Sequence, residues 1–478
     1  MRFPEISVRT RTLLAAACVF VPASAWSQVV LNAGDSIQQA VDQSPAGTTF
    51  ILNPGIYRLQ SVQPRDGDSF VGAQWGVILS GAQVLNSFGQ EGGLWVAYNQ
   101  YQQGQINGYC DAQHPGCMFP EDLFYDGNPL LHVTDISQVH PGSWFFDYAN
   151  HKIYFADDPN GHVIETSVAR SAFYGQAANV TISGMCIEKY AVPAQFGAIG
   201  DQYPGANWII SNTEERWNHG AGIFLGSGSQ ALNNLVHHNG QKGIGGNGQN
   251  ILVQGNEISF NNWGGFDMTW EAGGAKFAQT NGLVVRSNFV HDNIGNGMWN
   301  DIDSIDTLYE GNTVTNNIGG AGIAYEISYS AVIRNNVVQN NSWYGVPWMW
   351  GAQILIQNSS NVMVYGNIVD VSAGYGNGIG IIQQDRGSGA YGPHISANNA
   401  IYGNSITYHG AQGSSGEATD FNEQTLISSQ SNIFDYNWYH VTDPAAAHWM
   451  WEGGQNWGGM QAMGQDMHSS LDTNVAAQ

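Results

Sequence analysis

A phrase that returns through the middle of the sequence predicts an all-β fold wound as a parallel β-helix. Each copy ends a short apolar segment on Asn and continues with alternating Val or Ile, and these residues are Asn212, Asn234, Asn256, Asn288, Asn312, Asn336, Asn367 and Asn404. Successive copies are 22, 22, 32, 24, 24, 31 and 37 residues apart. A period in the low twenties, with Asn or Gly at the corners, is typical of stacked β-coils. The longer steps predict coils that carry a loop.

The segments outside this repeat predict how the rest of the chain is organised. Near the mature N-terminus, Ser36 or Asp35 can cap a short amphipathic helix that covers the open end of the stack. A stretch with Asp-Gly, Ala-Asn-His and Pro-Asn-Gly turns predicts an inserted antiparallel β subdomain. The expected parts are a signal peptide at 1–27, the N-terminal cap and first coils at 28–89, the inserted subdomain at 90–170, the main β-helix at 171–412, and a C-terminal coil, cap and tail at 413–478.

The first 27 residues have the pattern of an export signal. Arg2, Arg9 and Arg11 precede the apolar run LLAAACVFVPA, and Ala25-Trp26-Ser27 is a small-x-small cleavage pattern. The apolar run is too short to span a bilayer, and no later stretch of about 18 apolar residues follows it. The sequence therefore predicts a secreted or periplasmic protein that does not insert into a membrane.

The charge of the chain bears on its partners. Asp and Glu total 38 against 14 Lys and Arg, which gives a formal net charge of −24. Nucleic acids and anionic membranes bind basic surfaces, so neither is an expected partner. The lysines are Lys152, Lys189, Lys242 and Lys276. This shortage of cations favours a neutral oligo- or polysaccharide over a polyanionic one.

The cysteines agree with an oxidising compartment. Cys110 and Cys117 flank a short loop, GYCDAQHPGCM, and are predicted to form a disulfide. Cys186 is then left over and is interpreted as a small buried hydrophobic residue of a coil. No Cys/His spacing typical of a structural metal site is present.

Counting along three consecutive coils predicts a cluster of carboxylates on one outer face. Each coil has a Gly-apolar entry into its next strand, at Gly265, Gly297 and Gly322. Side chains two, four and six positions later point the same way because strand side chains alternate. The positions are Asp267, Thr269, Glu271, Trp299, Asp301, Asp303, Ala324, Glu326 and Ser328.

Asp301 and Glu326 are expected at the same depth on adjacent rungs, about 5 Å apart by strand spacing. Two like charges at that distance raise one pKa, so one carboxyl stays protonated while the other is ionised. A glycosidase uses such a pair, and a separation of about 5–5.5 Å is typical of a retaining mechanism, whereas a wider gap is typical of inversion. Asp303 remains a rival candidate nucleophile on the same patch.

Aromatic and further charged residues of these coils complete the predicted site. Aromatic faces suit the C–H faces of sugar rings, and charged groups can hold hydroxyls. The predicted substrate-binding residues are Asp267, Glu271, Trp270, Trp299, Lys276, Trp348 and Trp350. Clustered carboxylate oxygens also suit Ca²⁺. Its ligands would be Asp267, Asp301, Asp303 and Glu326.

The sequence around Trp299-Asn300-Asp301 and Tyr325-Glu326 resembles the parallel β-helix β-xylosidases among the glycoside hydrolases. That family carries its nucleophile in a Trp-x-Asp on one coil and its acid/base in an aromatic-Glu on the next. The resemblance, which covers about 40 residues, implies that Asp301 is the nucleophile and Glu326 the acid/base. It also implies a small β domain that interrupts the helix. A wider resemblance to exported right-handed β-helix proteins of the pectate-lyase-like kind implies the handedness of the fold.

Three functions fit these observations. The first is a retaining glycoside hydrolase on a neutral glycan, which requires no cofactor. The second is a calcium-dependent polysaccharide lyase on a uronate polymer; its base candidates are Lys276, Lys242, Arg286 and Arg386. The third is a non-catalytic glycan-binding β-helix, and C5-epimerisation is ranked below these.

Overall fold

The computed structural model describes residues 28–73, 76–343, 346, 348–420, 430–451 and 453–475. The predicted signal peptide at 1–27 lies outside the described residues. Within these ranges the backbone winds as a parallel β-helix, because each strand pairs in parallel with its counterpart on the next coil. The predicted all-β fold class is therefore confirmed.

Each full coil supplies strands to three faces of the helix. The first, called the site face below, contains Gly197–Ile199, Ala221–Leu225, Lys242–Gln249, Gly273–Asn281, Ile294–Asp301, Ile318–Gly319, Ile323–Glu326, Ala352–Gln357, Asn377–Gln383, Ser415–Thr419, Trp449–Trp451 and Gly454–Gln455. The second contains Gln28–Leu31, Thr49–Leu52, Ser69–Gly72, Thr181–Ser183, Ile209–Ser211, Gln230–Leu232, Leu252–Gln254, Val284–Arg286, Ile305–Glu310, Tyr329–Arg334, Ser360–Tyr365, Ala400–Tyr402 and Ile433–Asp435. The third contains Gly55–Arg58, Val77–Ser80, Cys186–Glu188, Glu214–Arg216, Leu235–His237, Glu257–Ser259, Phe289–His291, Thr313–Thr315, Val337–Gln339, Ile368–Val371, Ser405–Tyr408, Trp438–Val441 and Ser470–Asp472.

Two small sheets interrupt the helix after its first coils. One is antiparallel and contains Ala82–Leu85, Leu123–Tyr125, Asn128–Pro129 and Ile164–Ser167. The other is mainly antiparallel and contains Gly89–Glu91, Leu94–Tyr98, Leu131–His132, Ser143–Asp147 and Lys152–Phe155. Buried residues such as Trp144, Phe146 and Ile153 give this insertion an apolar core of its own. A further hairpin, Ser388–Gly389 with Gly392–Pro393, lies in a loop late in the helix.

In the described residues, helices occur at the ends of the stack and in loops. The N-terminal helix Ile37–Gln43 begins where the Ser36 hydroxyl accepts a hydrogen bond from the Gln39 amide, and its buried residues Ile37 and Val41 pack on the first coils. This is the predicted capping helix. Near the C-terminus Trp457–Ala462 is helical, and short 3₁₀ turns occur at Ile136–Gln138 and Trp348–Gly351.

Inside the helix, the repeated Asn residues form a hydrogen-bonded ladder. From Asn234 to Asn437, the side-chain Nδ2 of each member donates to Oδ1 of the next at 2.9 to 3.0 Å. The sequence repeat and the ladder differ by one residue at the first member. Asn212 has a φ of 53° and lies just before the ladder position, which Thr213 occupies with its hydroxyl donating to Asn234.

The predicted disulfide between Cys110 and Cys117 is present, and Cys186 is a free, buried thiol. The disulfide loop packs on the loop that precedes the site-face strand Gly273–Asn281, since Cys110 forms an isolated backbone bridge with Phe266. Throughout the ranges given above, no helix combines the length and the apolar character needed to cross a membrane.

Candidate functional site

The register of two adjacent strands brings the two main candidate residues to equivalent positions. In the pairing of Ile294–Asp301 with Ile323–Glu326, Trp299 faces Ala324 and Asn300 faces Tyr325. Asp301 and Glu326 are the next residues along each strand and end it. Neighbouring strands lie about 4.8 Å apart, so these two side chains leave the site face one above the other. This is the register that the sequence predicts for these two coils.

The register of the preceding coil differs from the prediction. Lys276 pairs with Trp299 and Ala278 with Asp301, so the strand Gly273–Asn281 takes the place that the sequence count assigned to residues after Gly265. The earlier residues form a loop, in which the Asp267 carboxylate accepts hydrogen bonds from the Thr269 amide and hydroxyl at 2.8 Å. The prediction failed because the 32-residue step contains this loop, which delays the strand. The predicted stacking of Asp267 and Thr269 under the pair is therefore wrong.

Asp303 also departs from its predicted position. An additional residue in this corner, with φ of 30° at Ile302 and 58° at Asp303, brings Ser304 into line with Ser328, where the Ser304 amide donates to the Ser328 hydroxyl. The Asp303 carboxylate turns to the side, 3.0 Å from His394 Nε2. Asp303 is therefore paired with His394 and is not stacked in line with Asp301 and Glu326.

A chain of alternating charges fixes Asp301. Lys276 Nζ lies 2.8 Å from Asp301 Oδ2 and 2.9 Å from Glu271 Oε1, and Lys242 Nζ lies 2.7 Å from Glu271 Oε2. Burial by itself raises the pKa of Glu271, but the two ammonium groups outweigh it and lower that pKa to about 2. Burial lowers the pKa of Lys276, and Glu271 and Asp301 together raise it above its ordinary value. Lys276 is therefore a charged partner of Asp301.

Glu326 has a different environment. Its Oε1 lies 2.8 Å from Arg386 Nη1, and its Oε2 accepts a hydrogen bond from the Trp299 indole at 3.0 Å. Burial, followed by the charge of Asp301, raises the pKa of Glu326, while Arg386 and Lys276 oppose that rise. A raised pKa is the property that a general acid requires.

Trp299 contacts both halves of this arrangement. The Lys276 ammonium lies 3.5 Å from the centroid of the indole ring, which is a close cation–π contact. The N–H of the same indole ring donates a hydrogen bond to Glu326. Trp299 therefore fixes the relative positions of the cation that holds Asp301 and of the second carboxylate.

A cavity of about 430 Å³ opens beside Glu326. Its walls include Met268, Trp299, Trp350, Gln384 and Arg386. Aromatic, amide and carboxylate groups in one cavity of this size fit a saccharide. Asp301 is not part of its wall, although its side chain keeps 19% of its surface exposed on the adjoining rung.

The other predicted binding residues lie around this cavity. Trp350 lines it, and Trp348 packs on Trp350 with ring centroids 6.2 Å apart. Trp270 packs edge-on against Tyr109 of the inserted segment at 5.1 Å and accepts, through its carbonyl, a hydrogen bond from Lys276. These contacts place Trp270 and Trp348 in supporting positions rather than in the cavity wall.

The predicted calcium ligands do not share one centre. Asp267 bonds to Thr269, Asp301 to Lys276, Asp303 to His394 and Glu326 to Arg386. In the part of the chain that the structure describes, no group of three or more His, Cys, Asp or Glu side chains is arranged to hold a metal ion. Calcium binding stays an untested prediction.

Sequence reasoning missed three residues of the site. Gln384 was not identified, Arg386 was considered only as a lyase base, and His394 was not considered. All three belong to a loop after the strand Asn377–Gln383, which folds back over earlier coils. The segment QQDRG lies more than 50 residues from the pair and outside the counted rungs, so no local spacing indicates it.

Comparisons with known proteins bear on the fold. Residues 201–367 match the family described as a right handed beta helix region. The chain is similar to a structure described as the complex of XylC with xylose, at 16% identity and a TM-score of 0.70, over 94% of this chain and 86% of that one. It is also similar to the A-module of the mannuronan C-5 epimerase AlgE4 from Azotobacter vinelandii, at 13% identity and a TM-score of 0.52, over 92% of this chain and 97% of that one. No curated protein matches the sequence.

At these identities the likeness defines the fold. The protein is a right-handed parallel β-helix protein, as the sequence predicts, and structures that share this architecture include carbohydrate-processing enzymes. Function depends on the site rather than on the fold.

Proposed function

We propose that this protein is a retaining glycoside hydrolase that acts on a neutral saccharide, with Asp301 as nucleophile and Glu326 as acid/base. The observation that carries the proposal is the register of two adjacent coils, which ends one strand at Asp301 and the next at Glu326. Strand spacing of about 4.8 Å agrees with the separation of about 5–5.5 Å at which retaining enzymes hold their carboxyls.

The surroundings of the two carboxyls support this division of roles. The Lys276 ammonium lies 2.8 Å from Asp301 and orients the carboxylate that would attack the sugar. Burial and the Asp301 charge favour the protonated form of Glu326, which a general acid needs.

The reaction proceeds in two balanced steps. An oxygen of Asp301 bonds to the anomeric carbon while the glycosidic C–O bond breaks and Glu326 gives its proton to the leaving oxygen. Glu326, now ionised, takes a proton from water as that water attacks the anomeric carbon and the ester bond to Asp301 breaks. The sugar leaves with retained configuration, and both carboxyls return to their starting states.

A neutral substrate is supported by the way the cations near the site are used. Lys276 is bound by Glu271 and Asp301, Lys242 is bound by Glu271, and Arg386 is bound by Glu326. A uronate would compete with these carboxylates for the same cations and would approach a chain of net charge −24. The xylose complex of XylC, a protein of similar fold, supports a neutral sugar as the first ligand to test.

Lys276 is a poor base for a lyase, because neighbouring carboxylates raise its pKa and bind its ammonium on two sides.

The export signal predicted at 1–27 and the Cys110–Cys117 disulfide support action outside the cytoplasm.

A panel of nitrophenyl glycosides, together with neutral and uronic polysaccharides, tests the proposal. We expect new reducing ends without unsaturated product, and we expect Glu326→Gln to lower kcat on unactivated substrates by about 10²–10⁴-fold. Glu310→Gln is the matched control, since Glu310 also pairs with an arginine, Arg334, on another face. Ultraviolet absorbance from an unsaturated product would indicate a lyase instead. Binding without turnover would indicate a glycan-binding protein.

A further inference from the structure

The loop that carries Arg386 crosses over the site from later coils. It leaves the strand Asn377–Gln383, forms the hairpin Ser388–Gly389 with Gly392–Pro393, and returns through His394. Arg386 is a long side chain, and 33% of it is exposed, so its contact with Glu326 needs support from the loop itself. The contacts of this loop show where that support comes from.

His394 connects the loop to the coil that carries Asp301. The imidazole is almost fully buried, its Nε2 lies 3.0 Å from Asp303 Oδ1, and its Nδ1 lies 3.1 Å from the Arg386 carbonyl oxygen. Both ring nitrogens thus face hydrogen-bond acceptors. Through the His394 ring, the Asp303 side chain therefore holds the backbone of Arg386, whose guanidinium binds Glu326.

Other contacts hold the two ends of the loop together. The His394 amide donates to the Gly387 carbonyl at 2.9 Å, and Asn358 Nδ2 donates to the His394 carbonyl at 2.9 Å. The Tyr329 hydroxyl donates to the Gly392 carbonyl at 2.7 Å and lies 3.4 Å from Asp303 Oδ1. These contacts make His394 the junction between the loop and the catalytic coils.

We propose that His394 is a positioning residue that, through Asp303, holds Arg386 against Glu326. The proposal rests on the proposed function of Glu326 as acid/base. It gives Asp303 a role other than the nucleophile considered from the sequence, since its carboxylate binds His394 of the loop.

The link matters because Arg386 is one of the charged groups that face Glu326. Burial and the charge of Asp301 raise the pKa of Glu326, while Arg386 and Lys276 lower it. Lys276 is fixed by Glu271 and Asp301, whereas Arg386 depends on its loop. A loosened Arg386 would leave Glu326 with a higher pKa, so the acid would stay protonated to a higher pH.

The first test is the pH profile of kcat/KM for His394→Ala, Arg386→Ala and the double variant. Arg386→Ala is expected to move the alkaline limb upward by about 1–3 pH units, the usual effect of removing an adjacent opposite charge. His394→Ala should move the same limb in the same direction by a smaller amount. The double variant should match Arg386→Ala. Additive shifts, or an unmoved limb in His394→Ala, would overturn the proposal.

The matched control is His409→Ala. His409 also pairs with a carboxylate, Asp370, and is comparably buried, but that pair lies at the third face, away from the site. The variant should leave the alkaline limb where it is in the unmodified protein. His394→Gln, which keeps one side-chain donor, should restore part of the shift.

A second measurement works without catalysis. In the ¹⁵N-labelled protein, the side-chain N–H signal of Arg386, assigned by its loss in Arg386→Lys, should be protected from exchange and should lose that protection in His394→Ala. If the unmodified protein hydrolyses no glycoside, the proposed function fails while this signal still tests the link. An unchanged Arg386 signal in an active His394→Ala variant would refute the link and leave the hydrolase assignment intact.

Discussion

The indole N–H of Trp299 donates a hydrogen bond to Oε2 of Glu326 at 3.0 Å, across the step between two adjacent coils. The same ring lies over the ammonium of Lys276, which in turn binds Asp301. One side chain therefore contacts Glu326 directly and also contacts the cation that binds Asp301. The two acidic groups are linked through Trp299 and Lys276 in addition to their own electrostatic repulsion.

Trp299→Phe tests this hydrogen bond. Phe keeps an aromatic face for Lys276 but removes the N–H donor, and a hydrogen bond to a charged group contributes about 1.5–3 kcal/mol. Because Glu326 becomes charged when it gives up its proton, we expect kcat/KM to fall by about 10- to 100-fold. Trp350→Phe, at the other wall of the cavity, is the control and should act mainly on KM. A larger loss in Trp350→Phe than in Trp299→Phe would contradict the assignment.

Lys276→Met tests the chain of alternating charges. The change leaves Glu271 and Asp301 without their shared ammonium, and removing one partner of a buried ion pair costs about 3–5 kcal/mol. Denaturant unfolding should show this loss, and activity should fall below detection. Lys152→Met is the control, because Lys152 pairs with Glu91 at the surface and its loss should change folding stability far less.

Glu215→Gln tests a buried carboxyl far from the proposed chemistry. Glu215 is fully buried in the helix interior, and burial, with a contribution from Glu214, raises its pKa from 4.5 to about 8. Because the folded pKa exceeds the unfolded one, folding stability falls as pH rises from about 4.5 to about 8 and is constant above. Replacing this carboxyl by an amide removes the cost of protonating it on folding. The change should stabilise the protein at pH 7 by about 3 kcal/mol and should have little effect below pH 4.

Unfolding curves of Glu215→Gln at several pH values measure this effect, and Glu214→Gln provides the opposite case. His237 and Arg216 lower the pKa of Glu214, against the effect of burial. The Glu214 carboxylate therefore stabilises the folded protein above the unfolded pKa, and this contribution is lost as pH falls. A gain in Glu215→Gln that did not grow with pH would show that the carboxyl is solvated in the folded protein.

Treatment with a chelator tests the calcium prediction. The four predicted ligands bond to separate partners, so we expect EDTA to leave both the thermal unfolding midpoint and the glycosidase rate unchanged. The control is the same treatment followed by excess Ca²⁺. Loss of activity that calcium restores would favour the second function considered from the sequence.

The fold was predictable because its signal repeats. The Asn residues from Asn234 onward occupy one interior corner, where each amide bonds to the next, so their spacing reports the coil length directly. The register of Asp301 with Glu326 was predictable for the same reason, since Gly297 and Gly322 enter their strands at equal offsets. Local periodicity was sufficient wherever coils had no insertion.

The remainder of the site depends on insertions, which carry no periodic signal. Because of the loop before Gly273, the residue opposite Trp299 is Lys276 and not the predicted Asp267. One additional corner residue moved Asp303 out of line. Arg386 and His394 reach the site by a loop that crosses coils, and nothing in their spacing relates them to Glu326. Tertiary placement of loops therefore determined the part that the sequence could not predict.

The most direct measurement is covalent trapping of the nucleophile. An activated 2-deoxy-2-fluoro glycoside of the preferred sugar forms a long-lived ester with a retaining glycosidase, and peptide mass spectrometry identifies the modified residue. We predict one glycosyl group per chain, attached to Asp301, in the unmodified protein and none in Asp301→Asn. Attachment to Asp303, or hydrolysis with inversion and no trapped ester, would contradict the account.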